Sequence, residues 1–272
     1  MTISSKSQNV VSGNSTRIAG IFLGVRAVFE LIAFYFFWAL FGLLSLCWSL
    51  VATLLTLVVP LWLGGPLGRL VINRGFRMFV GLLRITGLIR CDLAALGALQ
   101  REAPLIIASN HPGRLDVLLM ISHLPGTVCI IKAALWKNLF IGGGARFAGY
   151  IRNDTPMDMI RTAVRELHAG RNLLVFPEGT RSTEKAPEHF QGGFALIAKF
   201  SGVPVQTVFI ENVSGYLGKS WPLFKRPTLP LEFRVRLGRR FEAANDPEAF
   251  VAELEDYYRK ELRPGLSPAT QP

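Results

Sequence analysis

Pro104-Leu-Ile-Ile-Ala-Ser-Asn-His-Pro-Gly-Arg-Leu-Asp116 runs from a short apolar segment through a Pro-Gly turn into what reads as the first turn of a helix. A strand that ends in a turn carrying polar side chains is a place where chemistry is often mounted. His111 and Asp116 are separated by four residues. If the turn folds into the first helical turn, the carboxylate reaches back to the imidazole. Such a pair makes a positioned general base, because the carboxylate holds one tautomer and favours the imidazolium that forms when the other ring nitrogen takes a proton. The same spacing also suits a capping Asp116 beside a structural histidine.

Further along, Leu173-Leu-Val-Phe-Pro-Glu-Gly-Thr-Arg-Ser182 repeats the arrangement: an apolar strand runs into a turn that carries Glu178, Thr180 and Arg181. Backbone amides and Arg181 there suit a phosphate, although a plain strand-to-loop turn with a solvated charge pair fits as well. Around these two motifs, from Cys91 onward, short apolar runs alternate with helical periodicity, which is the texture of an α/β domain. Strands are expected over 104–109, 127–132, 150–152, 172–176, 204–210 and 231–237. The clearest helix follows Thr155, with Pro156 in its first turn, a capping-box-like Thr-x-x-Asp ending at Asp158, and Gly170 as its stop.

With these motifs in order, the sequence resembles the lysophospholipid, or glycerolipid, acyltransferase family, of which 1-acylglycerol-3-phosphate acyltransferases are familiar members. The resemblance covers roughly 105–237 and comprises four blocks: Asn110-His-x-x-x-x-Asp116, Gly149-Tyr-Ile-Arg152, Phe176-Pro-Glu-Gly-Thr-Arg-Ser182 and Val203-Pro-Val-Gln206. It implies that family's α/β fold, a mixed sheet flanked by helices. It implies direct transfer of a fatty acyl group from a thioester, acyl-CoA or acyl-carrier protein, to a free glycerolipid hydroxyl, with His111 as base and Asp116 orienting it. By the same resemblance Arg152, Glu178, Gly179, Thr180 and Arg181 shape the acceptor site and Lys132 adds a phosphate contact. Neither a metal nor a cofactor beyond the acyl donor is expected.

This chemistry is physically reasonable, because a glycerol hydroxyl attacks a carbonyl only as its proton is removed, and the resulting oxyanion needs fixed donors. Amides near the His111 or Gly179 turns are the candidates for those donors. Two positions depart from the family pattern. The fourth block, which usually continues Val-Pro-Ile-Val-Pro, reads Val203-Pro-Val-Gln-Thr207, and Gln191 replaces a basic residue ahead of Gly192-Gly193-Phe194. The segment Ile131-Lys-Ala-Ala-Leu-Trp-Lys-Asn-Leu-Phe140 looks like acyltransferases associated with aryl-polyene-type lipids. The expected acceptor is therefore 1-acylglycerol-3-phosphate, with another lyso- or glycolipid as the alternative.

Outward from this domain, toward the N-terminus, 38 consecutive residues from Leu31 to Gly68 carry no charge. One straight helix of that length would run about 57 Å against a ~30 Å hydrocarbon core, so two short helices turning near Cys47 to Ser49 fit better. One span with a re-entrant piece broken at Pro60 and Gly64-Gly65-Pro66 is the variant of that reading. Lys6, Arg17 and Arg26 precede the run and Arg69, Arg74, Arg77, Arg84 and Arg90 follow it, which the positive-inside rule reads as both ends cytoplasmic. Arg74, Arg77 and Arg84 share one face of a helix whose other side is apolar, the pattern of an interfacial helix or of one packed on the domain. The organisation expected is a polar segment 1–26, a membrane-anchoring helical hairpin 27–66, a basic interfacial helix 67–90, the acyltransferase domain 91–262 and a tail 263–272. It places the protein at the inner, or cytoplasmic, membrane with the domain on the cytoplasmic side.

Composition bounds the remaining classes. Half of the 272 residues are hydrophobic and mean hydropathy is +0.34, which excludes a disordered chain. Three cysteines, Cys47, Cys91 and Cys129, match neither a zinc site nor a secreted disulfide framework. The net charge of +11 calls for an anionic partner. Because residues 1–100 hold eight Lys/Arg against two Asp/Glu, beside the uncharged run, that partner is an acidic bilayer rather than nucleic acid. No Gly-x-Ser-x-Gly elbow supports a serine hydrolase; a membrane-binding module without catalysis is the other rival. His123, His168 and His189 are read as surface or structural, Cys129 as core, and Trp136 as either core or membrane-facing.

Overall fold

The computed structural model describes residues 4–102, 104–179, 189–214 and 227–262, with side chains from Val28 onward. Packing divides the chain into two units, 1–42 and 43–272. The first is helical over its described residues and belongs to a single long helix, α1 (Ser4–Leu55). Its stretch Val28–Leu55 has a mean hydropathy of 2.0 and is long and apolar enough to cross a membrane.

The turn expected near Cys47 to Ser49 does not occur, because α1 passes straight through it. No proline or glycine lies between Leu43 and Val59 to break the helix, and Thr53 Oγ1 donates to the Ser49 carbonyl one turn back. The chain breaks over 56–60 instead, where Pro60 caps the next helix, α2 (Leu61–Ile85). Gly64, Gly65 and Pro66 lie inside α2, which therefore starts earlier than the expected interfacial helix.

Following α2 come β1 (Ile89–Asp92), α3 (Leu96–Leu99), β2 (Ile106–Ser109), α4 (Asp116–His123), β3 (Val128–Ile131), α5 (Ala133–Trp136) and α6 (Gly142–Phe147). The chain continues through β4 (Ile151–Arg152), α7 (Pro156–His168), β5 (Leu173–Val175), α8 (Gly193–Ser201), β6 (Val205–Asn212), β7 (Leu231–Phe241) and α9 (Pro247–Glu261). Among the described residues seven strands form one mixed sheet in the order β1-β7-β6-β2-β5-β3-β4. From β6 to β4 neighbouring strands are parallel, whereas β7 runs antiparallel to β6 and β1 parallel to β7. Five adjacent strands thus share one carboxyl end. All four residues of β2 are buried, as befits a central parallel strand covered on both faces.

One consequence for the site lies in α9. Its Tyr258, fully buried among Phe190, Phe209 and Leu254, donates through its hydroxyl to the Ala108 carbonyl at 2.8 Å, so the last turns of β2 are tied to the core behind the sheet. Meanwhile α2 packs on α4 and α6. Its buried Arg69 donates to the Ala148 carbonyl at 2.8 Å and Asn73 to the Ile121 carbonyl at 2.6 Å. Arg74, Arg77 and Arg84 remain exposed on the other side.

Two local expectations are corrected. Thr155 precedes α7 but its hydroxyl caps nothing, so Pro156 and the amphipathic face, rather than a capping box, define that helix. The strand β1 was absent from the expected set; the divide placed between 90 and 91 falls inside it. Arg90 and Asp92 interrupt its apolar pattern because β1 is an edge strand, paired only with β7.

Candidate active site

His111 lies just beyond the carboxyl end of β2, and what precedes it fixes the backbone. Asn110 is buried and makes two hydrogen bonds to one residue of the neighbouring strand: its Nδ2 donates to the Ile210 carbonyl at 2.9 Å, and its Oδ1 accepts from the Ile210 N–H at 2.6 Å. The side chain thereby continues the ladder between β2 and β6 for one step after β2 itself has ended.

After the turn, Asp116 opens α4, wholly buried. Its Oδ2 lies 2.8 Å from His111 Nδ1 and accepts from the Gly113 N–H at 2.7 Å. With Nδ1–H donating to the carboxylate, Nε2 becomes the nitrogen able to take up a proton. The imidazole side chain is 18% exposed, and its other constraint is Phe176, whose ring stacks on it with centroids 4.4 Å apart.

Phe176 belongs to the second motif. Since β5 pairs with β2 in parallel register, Ala108 opposite Val175, the two turns emerge side by side although His111 and Glu178 are 67 positions apart. Glu178 is buried, and its Oε1 accepts from the His111 backbone N–H at 3.2 Å. In this geometry Glu178 braces the base rather than facing outward. Gly179 closes the turn by donating to the Phe176 carbonyl at 2.9 Å, with φ at +62°. The backbone therefore favours glycine, and a Cβ there would also have to displace the Gln191 side chain, whose nitrogen would lie 2.7 Å away. Thr180 and Arg181, expected in the acceptor site, lie outside the described residues.

The amides of His111, Gly113 and Gly179 are each committed within the protein, to Glu178, Asp116 and Phe176 respectively. Of the amides in these two turns, these three already have partners in this structure.

Lys132 and Arg152 occupy the next strand ends. Lys132 follows β3 as the exposed N-cap residue of α5, and Arg152 ends β4, where Ile131 is its register partner. Three interstrand steps from β2 to β4 amount to about 14 Å, within reach of long side chains converging from both sides. Arg152 is not a bare cation. Its guanidinium is hydrogen-bonded to Asp154 and lies 5.6 Å from the Trp136 ring centroid. The bond holds the Asp154 carboxyl below its usual range and raises the Arg152 guanidinium. Both side chains are well exposed, so the pair contributes little to stability. Reading the sequence missed Asp154, although it stands only two residues from Arg152, and assigned no role to Phe176 or Asn110, which lie within the matched blocks.

The remaining conspicuous groups are structural. Cys129 is buried in β3, where desolvation pushes its thiol up to about 12. His123 ends α4 with Nδ1 2.8 Å from Ser122 Oγ, its basicity lowered by burial and then by Arg77 and Arg84. Among the described residues no group of three or more His, Cys, Asp or Glu could hold a metal ion.

The family model described as Acyltransferase matches residues 93–211, a stretch that contains all four blocks and both turns. Over that stretch the chain is similar to acyltransferases. Among its relatives are a putative 1-acyl-sn-glycerol-3-phosphate acyltransferase of Caenorhabditis elegans, 27% identical over 71% of this chain and 67% of that protein, and the human 1-acyl-sn-glycerol-3-phosphate acyltransferase beta, 27% identical over 65% and 64%. A lyso-ornithine lipid O-acyltransferase of Pseudomonas aeruginosa is 30% identical over 48% of this chain and 51% of its own length. The chain thus spans about two thirds or less of these relatives. The crystal structure of PlsC, the 1-acyl-sn-glycerophosphate acyltransferase of Thermotoga maritima, superposes with a TM-score of 0.60 at 18% identity, covering 91% of this chain and 99% of that one. At that identity the likeness shows the fold alone.

Proposed function

We propose that the protein transfers a fatty acyl group from a thioester, acyl-CoA or acyl-carrier protein, to the free hydroxyl of a lysophospholipid, with 1-acylglycerol-3-phosphate as acceptor and phosphatidate as product. The observation that carries the reading is the His111–Asp116 pair, buried on the carboxylate side and braced by Gly113, Glu178 and Phe176. His111 Nε2 takes the acceptor hydroxyl proton as that oxygen bonds to the thioester carbonyl carbon. Asp116 offsets the imidazolium charge as it forms. The tetrahedral adduct then collapses, the C–S bond breaks, and the thiolate recovers the proton from His111. Lys132 and Arg152 hold the acceptor phosphate from the neighbouring strand ends, with Thr180 and Arg181 of the matched third block. The apolar helix keeps the domain on an anionic bilayer, at the cytoplasmic face of the inner membrane, where the acceptor resides and the soluble donor arrives.

A second acceptor class, a lysolipid without a phosphomonoester, is favoured by the relative named for lyso-ornithine lipid and by Gln191 against Gly179, where the family usually has a basic residue. The protein purified in mild detergent, given labelled acyl-CoA or acyl-carrier protein and a panel of lysophosphatidate, other lysolipids and glycolipids, distinguishes them. Preference for lysophosphatidate supports the first reading, and preference for an acceptor without phosphate supports the second. Absence of transfer to any acceptor by folded protein contradicts both.

A further inference from the structure

We infer that the loop preceding α6, centred on Leu139-Phe140-Ile141, enters the bilayer interface as a membrane contact separate from the anchor helix, and thereby sets Lys132 and Arg152 at headgroup depth. The functional half of this statement rests on the acceptor reading above; the membrane contact does not.

Leu139, Phe140 and Ile141 are 60%, 46% and 46% exposed, three consecutive large apolar residues left open by a domain whose central strands β2 and β5 are wholly buried. Such a patch signals an interaction surface. What covers it follows from where it is fastened. Gly143, just after the patch, donates its N–H to Ser49 Oγ at 3.0 Å. The approach is so close that a Cβ on Gly143 would sit 1.9 Å from the Ser49 carbonyl oxygen. At the other end of the loop, Arg146 joins the Trp136 carbonyl at 2.6 Å to Thr53 Oγ1 at 3.1 Å. Both ends of the loop are therefore held to the last two turns of α1.

Those turns belong to the apolar stretch Val28–Leu55. At 1.5 Å per residue its 28 residues measure about 42 Å, some 12 Å more than a hydrocarbon core needs. The surplus equals roughly eight residues, the length of Trp48 to Leu55 onto which α6 docks. A segment bound to those turns lies in the interfacial layer. Its composition agrees: exposed Lys132 and Lys137 flank the half-buried Trp136, the pairing of cation and indole suited to headgroups. The occupant is accordingly the lipid bilayer, and a second protein is the alternative for the test. With the loop inserted, Lys132 at one end of α5 and Arg152 beside Trp136 meet an acceptor phosphate without the lipid leaving the membrane.

The test uses the full chain in vesicles of phosphatidylethanolamine and phosphatidylglycerol. Phe140→Cys, or Leu139→Cys should the first fold poorly, carries a nitrobenzoxadiazole probe in a background with Cys47→Ser and Cys91→Ser; buried Cys129 stays unlabelled. Phe200→Cys, on an exposed side chain at the C-terminal turn of α8, is the comparison site. Expected are a blue-shifted emission at 140 and its quenching by lipids with a nitroxide near the headgroup, with neither at 200. A water-like, unquenched probe at 140 overturns the inference, as does a blue shift that lipid nitroxides fail to quench, which would mean a protein neighbour. Since the readout is fluorescence, it stands whatever the acceptor assay returns.

Discussion

The two halves of the site are built in opposite ways. At the ends of β2 and β5 the base is held by buried Asp116, which the Gly113 amide anchors, by buried Glu178 and by the half-buried Phe176 ring, with Asn110 and Tyr258 fixing the strand behind it. At the ends of β3 and β4 the cations are exposed, and β4 is a two-residue edge strand. On the proposed function, the difference follows from what each half would do. A proton transfer needs a fixed donor and acceptor geometry, which burial and hydrogen bonding supply. A phosphate contact works through long flexible cations, and burying those cations without a permanent partner would cost more than it returned.

The comparison breaks if either half behaves like the other. The largest effect is expected for His111→Ala, which should lower kcat by about 10²-fold or more while leaving the circular dichroism of the folded protein unchanged, since a positioned base contributes ~10²–10⁴-fold. A smaller loss would mean that the base is not rate-determining in the transfer. Next, Asn110→Ala removes two bonds from the buried Ile210 backbone and should reduce unfolding stability by about 2–4 kcal/mol; denaturant titration reads this, together with a fall in kcat and little change in acceptor KM. An unaltered midpoint would deny that the base half is locked.

For the loose half, Arg152→Ala should raise acceptor KM about tenfold with donor KM unchanged, the scale of one charge-assisted hydrogen bond. Asp154→Ala should do the reverse and lower it a few-fold, because the guanidinium is then unpartnered before the acceptor arrives. A rise in both variants would mean that the pair is a structural clip. The smallest effect concerns His123, at the far end of the helix that begins with Asp116. Burial and then Arg77 and Arg84 lower its basicity in the fold, so above its ordinary value near 6.5 both folded and unfolded states are neutral and nothing is lost. As pH falls through that value the unfolded chain takes the proton more readily, and stability declines. The melting temperature should drop slightly between pH 7.5 and 5.5, and His123→Gln should flatten that drop.

Much of this was legible before the structure. The strands carrying the motifs are where apolar runs between turns put them, and the His111–Asp116 spacing does bring the two side chains together, because the turn feeds directly into α4. The four blocks of the sequence resemblance lie within the stretch that the family model matches, 93–211. What escaped reading depended on partners distant in the chain. Glu178 looks like a solvated or ligand-facing acid until β5 lies beside β2 and the His111 amide claims it. The edge strand β1 carries two charges among its four residues because it has a neighbour on one side only. Likewise, α1 was expected to turn near Cys47 to Ser49, yet nothing there breaks a helix, and Ser49 and Thr53 bond to Gly143 and Arg146 of α6. Gly142-Gly143-Gly144, a short run with no meaning in one dimension, is the surface on which those turns rest.

The central claim is that His111 acts directly on the acceptor hydroxyl, with no acyl group passing through the protein. Rapid mixing of the full chain with an acyl thioester labelled in the acyl group, with and without lysophosphatidate, tests it most directly. The account predicts thiol release only when acceptor is present and no label retained by the denatured protein. A stoichiometric burst of thiol without acceptor, with label covalently trapped on the chain, would contradict it.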